Sequence, residues 1–345
     1  ANVYQEWLEV DQACKCKTDP IMVTDDKGQQ RKGGDIVIGR DEETGVLARY
    51  TDVSTAKLES QRGFVETSGD HLRTEGVSVK AAQWLLDPSD ITISSAADSN
   101  VSGTSPADIT PTGGDGSTSV VSVSTIQSAI NAGTSVTIKT TNASNTTGAG
   151  NITIADALSL NNTGAQDATL SLIADNGIIQ NAAITATGTK LVNISMTANG
   201  NYQGVNAANA NSKGIAVNAG ITTNGSITLT GTNQSSGADG AGAGVYINRQ
   251  TLNAGTSDVT ITGTATNGSG AFIHGNSVLR GGNITINGTA NTTASGSGKG
   301  VYLYRDSTTT IAATNNLAII GTVSGAGTGN GILVNGGNVG TAVLM

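Results

Sequence analysis

The acidic residues that follow Glu75 are all aspartates, and nine of them lie after residue 90. Asp156, Asp167 and Asp175 are the closest group within the repetitive part of the chain. Two carboxylates on adjacent strands would suit acid–base cleavage of a polysaccharide, and the same oxygens suit a bound cation. Asp175 also begins an Asp-Asn-Gly sequence, which is typical of a turn. We adopt the turn interpretation and predict neither a catalytic residue nor a metal ligand.

The other reactive side chains are few and scattered. His71 and His274 are far apart in sequence, so we expect surface or turn positions for both and no Ser/His/Asp set. Cys14 and Cys16 are too close for an unstrained disulfide, and two thiolates fall short of the four ligands of a structural zinc site. We therefore expect free or intermolecularly paired thiols. The Gly-rich loop at residues 113–116 lacks the Lys of a phosphate-binding loop, so we predict no cofactor.

Two short phrases recur out of phase with each other in the last third of the chain. The first is a Gly followed by three small or apolar residues, and it begins at Gly214, Gly244, Gly270, Gly300 and Gly331. The second resembles NITINGT and begins at Ser226, Asp258, Asn283 and Asn316. Two interleaved phrases with a shared period of ~30 residues indicate a repeated structural unit.

Each phrase has the composition of a β-strand, because Val, Ile and Thr alternate and Gly, Asn and Ser flank them. A strand, a turn and a second strand in every repeat predict one coil of a parallel β-solenoid. Its inward side chains would stack into an apolar column, with equivalent strands ~4.8 Å apart. Roughly 10 to 13 coils would give a rod ~50–60 Å long.

Composition and charge exclude several classes of protein. The net charge is −8, and no basic run exceeds Arg31-Lys32, which argues against a nucleic-acid partner. Aromatic residues are 3% of the chain, so a large globular core is not expected. The sequence contains no run of 18 apolar residues and therefore predicts no membrane insertion. The first residues lack the features of a signal peptide, so we expect a mature product or a piece of a longer protein.

We divide the chain into four sections. Residues 1–20 show helical spacing of Val3, Trp7, Val10 and Cys14, which predicts a short N-terminal helix or a cap. Residues 21–97 are rich in charge and predict the start or end of the solenoid, or a subdomain packed on it. Residues 98–119 predict a Ser/Thr/Gly loop. Residues 120–345 predict the repetitive β-helix, with one or two helical turns at 125–131 capped by Thr125.

The charged section carries a resemblance to a known family. GGDIVIGRD from Gly33, GFVETSG from Gly63 and WLLDPSDITI from Trp84 resemble the filamentous-haemagglutinin-like large exoproteins of bacterial two-partner secretion. Stretches from Val121 and Asp167 are similar in order and phrasing, whereas after residue 200 only the repeat style is shared. The resemblance implies a right-handed parallel β-helix, export through an outer-membrane partner barrel, and adhesion to cells or surfaces. The family's N-terminal secretion domain is not visible, which suggests an interior or C-terminal-side segment.

Two sets of residues are candidates for binding or modification. If Val245 and Ile247 point inward, Tyr246 points outward, and the same alternation places Phe272 and Tyr302 in an outward aromatic row. This row is a candidate strip for a sugar or a protein partner; packing under a loop is the alternative, and Tyr304 is equally ambiguous. Asn-x-Ser/Thr sequons are candidates for glycosylation or, alternatively, for hydrogen-bonded ladders, at Asn142, Asn145, Asn151, Asn283, Asn287 and Asn291.

The sequence thus predicts an all-β, parallel β-helical rod segment of a secreted bacterial cell-surface adhesin. Its expected partners are a glycan or protein on a host or neighbouring cell and the secretion barrel. Two alternatives remain open. Exposed coil ends would allow end-to-end self-association into an extracellular filament. A cleft with two carboxylates would instead indicate a polysaccharide-degrading β-helix enzyme.

Overall fold

The structure is a computed structural model of the 345-residue chain. It describes residues 8–9, 15–17, 35–41, 44, 46–48, 50–60, 63–69, 71–87, 90–96, 101–102, 110–111, 119–140, 150–200, 213–234, 242–305 and 308–336. Nearly all of the assigned elements are short β-strands, and apart from the antiparallel pair β11-β12 they pair in parallel with strands about one coil away. The chain is an all-β parallel β-helix, as the sequence predicts.

The elements are numbered in chain order. The first part contains β1 (Leu8–Glu9), β2 (Lys15–Lys17), β3 (Ile36–Ile38), β4 (Tyr50–Asp52), β5 (Lys57–Glu59), β6 (Phe64–Ser68), β7 (His71–Arg73), β8 (Ser78–Lys80), β9 (Gln83–Asp87), β10 (Ile91–Ser94), β11 (Val101–Ser102), β12 (Thr110–Pro111), β13 (Ser119–Ser122) and α1 (Val123–Asn131).

The second part contains only strands. They are β14 (Ser135–Lys139), β15 (Ile152–Ile154), β16 (Leu158–Asn162), β17 (Ala168–Ala174), β18 (Ile178–Gln180), β19 (Ile184–Gly188), β20 (Val192–Ala198), β21 (Ile215–Val217), β22 (Ile221–Thr222), β23 (Ile227–Asn233), β24 (Val245–Ile247), β25 (Thr251–Asn253), β26 (Val259–Thr266), β27 (Ser269–His274), β28 (Val278–Gly281), β29 (Ile284–Thr292), β30 (Ser297–Arg305), β31 (Thr310–Ala313), β32 (Leu317–Gly325) and β33 (Thr328–Gly336).

The strands form three faces that the chain visits in turn. Face A is a ten-stranded sheet in the order β3-β6-β9-β14-β17-β20-β23-β26-β29-β32. Face B contains β1-β4-β7 and then β13-β10-β15-β18-β21-β24-β27-β30-β33. Face C contains β2-β5-β8 and then β16-β19-β22-β25-β28-β31. The ten described strands of face A, spaced ~4.8 Å apart, span about 43 Å.

An apolar column along each face holds the coils together. On face A the pairing aligns seven aliphatic residues: Val136, Leu170, Ile194, Ile227, Val259, Ile284 and Leu317. All except Leu317 are fully buried or nearly so. Burying one such side chain contributes about 1.5–3 kcal/mol, so the periodic aliphatic positions select this register against a one-residue slip that would turn them outward.

The N-terminal residues depart from the predicted helix at the positions that are described. β1 pairs in parallel with β4, and β2 pairs with β5, so these residues extend faces B and C by strand addition. The predicted helix is therefore wrong at residues 8–9 and 15–17, because neighbouring strands offer β1 and β2 backbone partners that a helix would forgo; the alternative of a cap stays a prediction. Val3, Trp7, Val10 and Cys14 themselves lie outside the described residues, as does most of 98–119.

One helix interrupts face C. α1 contacts both β8 and β16, the strands on either side of the gap in face C, and buries Ile126 and Ile130. Its N-cap is Ser122, whose hydroxyl accepts a hydrogen bond from the Ser124 N–H, and not the predicted Thr125. Thr125 is buried inside the helix. The helix begins earlier than predicted because β13 ends on a Ser that can cap it.

The polypeptide leaves and re-enters the coil just before this helix. After β10 it forms the antiparallel pair β11-β12 and returns as β13, on the opposite side of β10 from β15. The Ser119 hydroxyl accepts a hydrogen bond from the Leu72 N–H at 2.8 Å, which ties β13 to β7. The charged coils before β10 and the repetitive coils after it thus share one continuous solenoid, because β9 also pairs with β14.

Glycines bring faces A and B into backbone contact. A Cβ on Gly263 of β26 would lie 1.9 Å from the Gly270 carbonyl oxygen of β27, and Gly288 and Gly321 would meet Gly300 and Gly331 in the same way. Gly263, Gly288 and Gly321 belong to the phrases that resemble NITINGT, whereas Gly270, Gly300 and Gly331 begin the other phrase. In each of these coils a glycine of one phrase therefore packs against a glycine of the other, and the glycines form one close-packed seam and are not turn residues.

The charged coils contain a partly buried ion pair between Arg40 and Glu66. Glu66 is completely buried, and the Arg40 guanidinium donates to its Oε2 at 2.7 Å. The Ser68 hydroxyl donates to the other carboxylate oxygen at 2.7 Å. Leu47, which bridges to Arg40, is buried as well. The segment around Arg40 thus covers the carboxylate and stabilises its charge.

Candidate functional site

Face B carries a cluster of aromatic side chains on its outer surface. Val245 and Ile247 are fully buried in the core and Tyr246 points outward, as alternation predicts. Strand pairing then places Tyr246, Phe272, Tyr302 and Leu333 in one outward row. A second outward row, two residues further along each strand, contains His274, Tyr304 and Asn335. The predicted aromatic row exists, with a second row beside it.

The side chains of the aromatic row are less exposed than a binding strip would require. Phe272 and Tyr302 lie in the outward row that alternation predicts, but Phe272 is only 6% exposed and Tyr302 only 5%, because neighbouring rings cover both side chains. Their rings contact each other edge-on at 4.9 Å, and Tyr304 stacks on Phe272 at 5.8 Å with an interplanar angle of 25°. The rings of neighbouring coils bury Phe272 and Tyr302 because strands ~4.8 Å apart bring stacked rings into contact.

Three half-buried rings form what we call the surface strip: Tyr246, His274 and Tyr304. They lie on the successive strands β24, β27 and β30, with ring centroids 6.0 Å apart for Tyr246–His274 and 5.2 Å for His274–Tyr304. Phe272 and Tyr302 lie beneath them as the buried pair and restrict their rotamers. The strip is therefore a preorganised aromatic platform.

Hydrogen bonds orient the first half of the strip. The Tyr246 hydroxyl lies 3.0 Å from His274 Nδ1 and donates to Asn248 Oδ1 at 3.2 Å. Asn248 in turn donates to Asn218, and Asn218 donates to Asn181, each at 3.0 Å. This asparagine ladder crosses four coils and ends at the histidine, so it fixes the position of the Tyr246 and His274 rings. Among the described residues, the Tyr304 hydroxyl has no hydrogen-bond partner.

Positive charges border the cluster. Lys213 Nζ lies 5.0 Å from the Tyr246 ring centroid, and Lys299 Nζ lies 5.4 Å from the Tyr302 ring centroid, both within cation–π range. Burial lowers the pKa of Lys213. Burial, with a smaller contribution from the nearby Arg249 charge, lowers the pKa of His274, whereas burial raises the pKa of Tyr246. Both effects favour the neutral form of His274.

The aspartate group proposed from sequence does not assemble. Asp156 follows a face B strand, Asp167 precedes a face A strand, and Asp175 follows that same face A strand, so they lie at three different corners of the coil. Asp156 accepts two hydrogen bonds from Ser95 at 2.7 Å, which lower its pKa, and Asp167 accepts one from the Leu191 N–H. The carboxylates of Asp156 and Asp167 thus each tie two parts of the coil together. Within the described ranges, no group of three His, Cys, Asp or Glu is arranged to hold a metal ion.

The sequon asparagines occupy ladder positions where they are described. Asn151 is 7% exposed, and its Oδ1 accepts from the Gly177 N–H. Asn283 donates to Asp258 and accepts from Asn316, and Asn291 accepts from Ser324. Asn287 Oδ1 is buried with no partner in the described part of the chain. Glycosylation stays a prediction, most accessible at the exposed Asn291, while Asn142 and Asn145 lie outside the described residues.

The remaining candidates are only partly visible. His71 belongs to β7 and Cys16 to β2, but their side chains, Cys14 and residues 113–116 lie outside the described part of the structure. Sequence reasoning named Tyr304 only as an ambiguous candidate and missed His274 as a strip member. The signal was present, because His274 and Tyr304 are two residues after the predicted outward positions Phe272 and Tyr302 on the same strands.

Comparisons with known proteins do not identify the chain: no family model matches it, and no curated protein matches it. In the described ranges, no helix has the length and apolar character needed to cross a membrane.

Proposed function

We propose that this chain is a structural and adhesive rod segment of a secreted bacterial cell-surface exoprotein. The segment attaches to a glycan or protein on a host or neighbouring cell through the lateral surface of its solenoid. In this proposal the parent protein crosses the outer membrane through a partner barrel, and the segment works outside the cell. The proposed export route and extracellular location rest on the sequence resemblance to the filamentous-haemagglutinin-like exoproteins.

The observation that carries the proposal is the surface strip on face B. A parallel β-helix repeats its outer positions every ~4.8 Å, so side chains at equivalent positions make an extended binding surface along one side. Here that surface contains three rings fixed by a buried aromatic pair and by the asparagine ladder. Rigid aromatic residues with polar tips are typical of recognition surfaces.

Attachment of coated particles tests this proposal. Fluorescent beads carrying the purified chain should adhere to cultured epithelial cells or to bacterial cells, and soluble chain should compete with them. Beads coated with an unrelated protein of similar net charge provide the control. Equal retention of both kinds of bead on every cell type would reject the adhesive function.

End-to-end assembly into a filament is the second candidate, and one observation favours it. Inward-facing residues of the last described coil are incompletely covered: Ile332 is 45% exposed and Val334 is 64% exposed, and Leu317 and Ile319 are only half-buried. Another coil placed on this edge would cover them and pair the edge strands. Light scattering at rising protein concentration tests this candidate, since a constant monomer mass would reject it.

A polysaccharide-degrading activity has no comparable support. The three aspartates considered for it lie at separate corners of the coil, and two of them, Asp156 and Asp167, accept hydrogen bonds from Ser95 and Leu191. We therefore propose a function that is not enzymatic.

A further inference from the structure

We propose that the surface strip binds an acidic glycan, as a run of pyranose rings that carry carboxylates. This inference rests on the proposed adhesive function and adds the site and the ligand class to it. Tyr246, His274 and Tyr304 would contact the sugar rings, and the neighbouring cationic side chains would attract the carboxylates.

The shape of the strip fits a short stretch of a linear glycan. Its three rings occupy successive coils, and two steps of ~4.8 Å make it about 10 Å long. The C–H groups of a pyranose pack on aromatic rings, whose faces carry partial negative charge. The rings cannot turn away freely, because Tyr304 stacks on Phe272 and Tyr246 is hydrogen-bonded to Asn248. Little rotamer entropy would be lost on binding.

Polar groups beside the rings match sugar hydroxyls. The Tyr304 hydroxyl is without a hydrogen-bond partner in the described part of the chain and can donate or accept. Asn335 is exposed at the end of the same outward row, where its Nδ2 donates to the Tyr302 hydroxyl at 3.1 Å. Its carbonyl oxygen is an acceptor for a sugar hydroxyl. A ring platform with amide and phenol groups at its edge provides both stacking and orientation.

The distribution of charge favours an acidic sugar over a neutral one. Residues 190–345 contain six Lys and Arg and three Asp, a net charge of +3, whereas residues 1–189 contain twelve Lys and Arg and twenty-three Asp and Glu, a net charge of −11. Lys213 and Lys299 lie beside rings of the cluster, and Arg249 is close enough to Tyr246 and His274 to affect the pKa of both. An anionic chain would be attracted to this part of the rod and repelled by the other part.

The test compares matched sugars. Hexamers of glucuronate, galacturonate and mannuronate would be titrated against the wild-type chain, beside the neutral hexoses obtained by reducing each carboxylate to an alcohol. We expect at least one uronate hexamer to bind about tenfold more tightly than its neutral counterpart, with affinity falling as salt rises. Absence of binding to all three uronates, or equal binding of acid and neutral forms, would overturn the proposal.

Variants locate the site. Replacing both rings, Tyr246→Ala with Tyr304→Ala, should weaken uronate binding about tenfold or more. Tyr304→Phe keeps the ring and should cause a smaller loss. Lys213→Met with Lys299→Met should remove the preference for acid over neutral sugar. Leu191→Ala, which changes a 42% exposed side chain on another corner, is the control and should bind as the wild type does. Circular dichroism and urea unfolding would verify that each variant is folded.

The result distinguishes this inference from the function it rests on. If beads coated with the wild-type chain adhere to cells but the strip variants adhere equally well and no uronate binds, the glycan inference fails and adhesion stands. If the wild-type beads adhere to no cell, the adhesive function itself fails.

Discussion

The seam of glycines between faces A and B makes a specific prediction about stability. In Gly263→Ala the new Cβ would lie 1.9 Å from the Gly270 carbonyl oxygen and 2.4 Å from its carbonyl carbon. Both atoms belong to a backbone that is hydrogen-bonded within β27, so neither strand can yield without disturbing its ladder. The clash therefore has to be relieved by separating the two faces.

The expected magnitude follows from two opposing effects. Overpacking a filled interior costs about 1–3 kcal/mol, and a backbone contact this short belongs at the upper end of that range. The added methyl group also restricts the unfolded chain, which offsets the loss by about 0.4–1 kcal/mol. We expect Gly263→Ala to lower the free energy of unfolding by about 2 kcal/mol or more.

Urea unfolding followed by far-UV circular dichroism measures this change. Gly220→Ala is the matched control, because its Cβ would meet only the Thr251 carbonyl oxygen at 3.6 Å, an ordinary contact. The control should have a midpoint equal to or slightly above that of the wild type. Equal urea midpoints for the two variants would contradict close packing of Gly263 against Gly270 and would favour a role for these glycines in turns.

Three further predictions concern the ion pair, the core and the histidine. Arg40→Ala should destabilise the chain by about 3 kcal/mol, because Glu66 would stay buried without its partner, whereas Lys80→Ala, which removes an exposed ion pair, should cost less than about 1 kcal/mol in the same urea titration. Leu229→Ala should cost about 2–5 kcal/mol, because Leu229 is fully buried inside face A, where it is aligned with Met196 and Ile261; a loss well below that range would show that the core is loosely packed there. Burial lowers the pKa of His274 in the folded state, so the folded chain binds a proton less readily than the unfolded chain. The free energy of unfolding should then fall as the pH drops through the ordinary His pKa of about 6.5. Between pH 7 and pH 5 the melting temperature should fall less in His274→Asn than in the wild type. An equal fall in both would contradict the assignment of this pH dependence to His274.

The repeated phrases were sufficient to predict the fold. Thr, Val and Ile alternate in phrases such as NITINGT, and the buried positions are those that alternation selects, for example Ile284 and Ile286. The packing role of the glycines could not be predicted from the sequence. A Gly beside a strand phrase suggests a turn, and only the pairing of two faces reveals that Gly263 and Gly270 are adjacent across the interior.

The candidate site was predicted in part. Alternation along one strand correctly turned Tyr246 outward, but it says nothing about how equivalent positions on adjacent coils cover one another. Phe272 is buried because Tyr246, Tyr302 and Tyr304 surround it, a relation between coils and not within one strand. The helix predicted for the N-terminal residues was wrong for a similar reason. The spacing of apolar residues within one segment does not show that β1 has a strand partner in β4.

The measurement that tests the central claim most directly is adhesion of the strip variant under flow. Beads coated with wild-type chain or with the Tyr246→Ala and Tyr304→Ala double variant would be passed over the same cell layer, with Leu191→Ala beads as the control. The account predicts firm retention of wild-type and control beads and about tenfold fewer double-variant beads. Equal retention of the double variant would contradict the claim that the lateral aromatic strip is the adhesive surface.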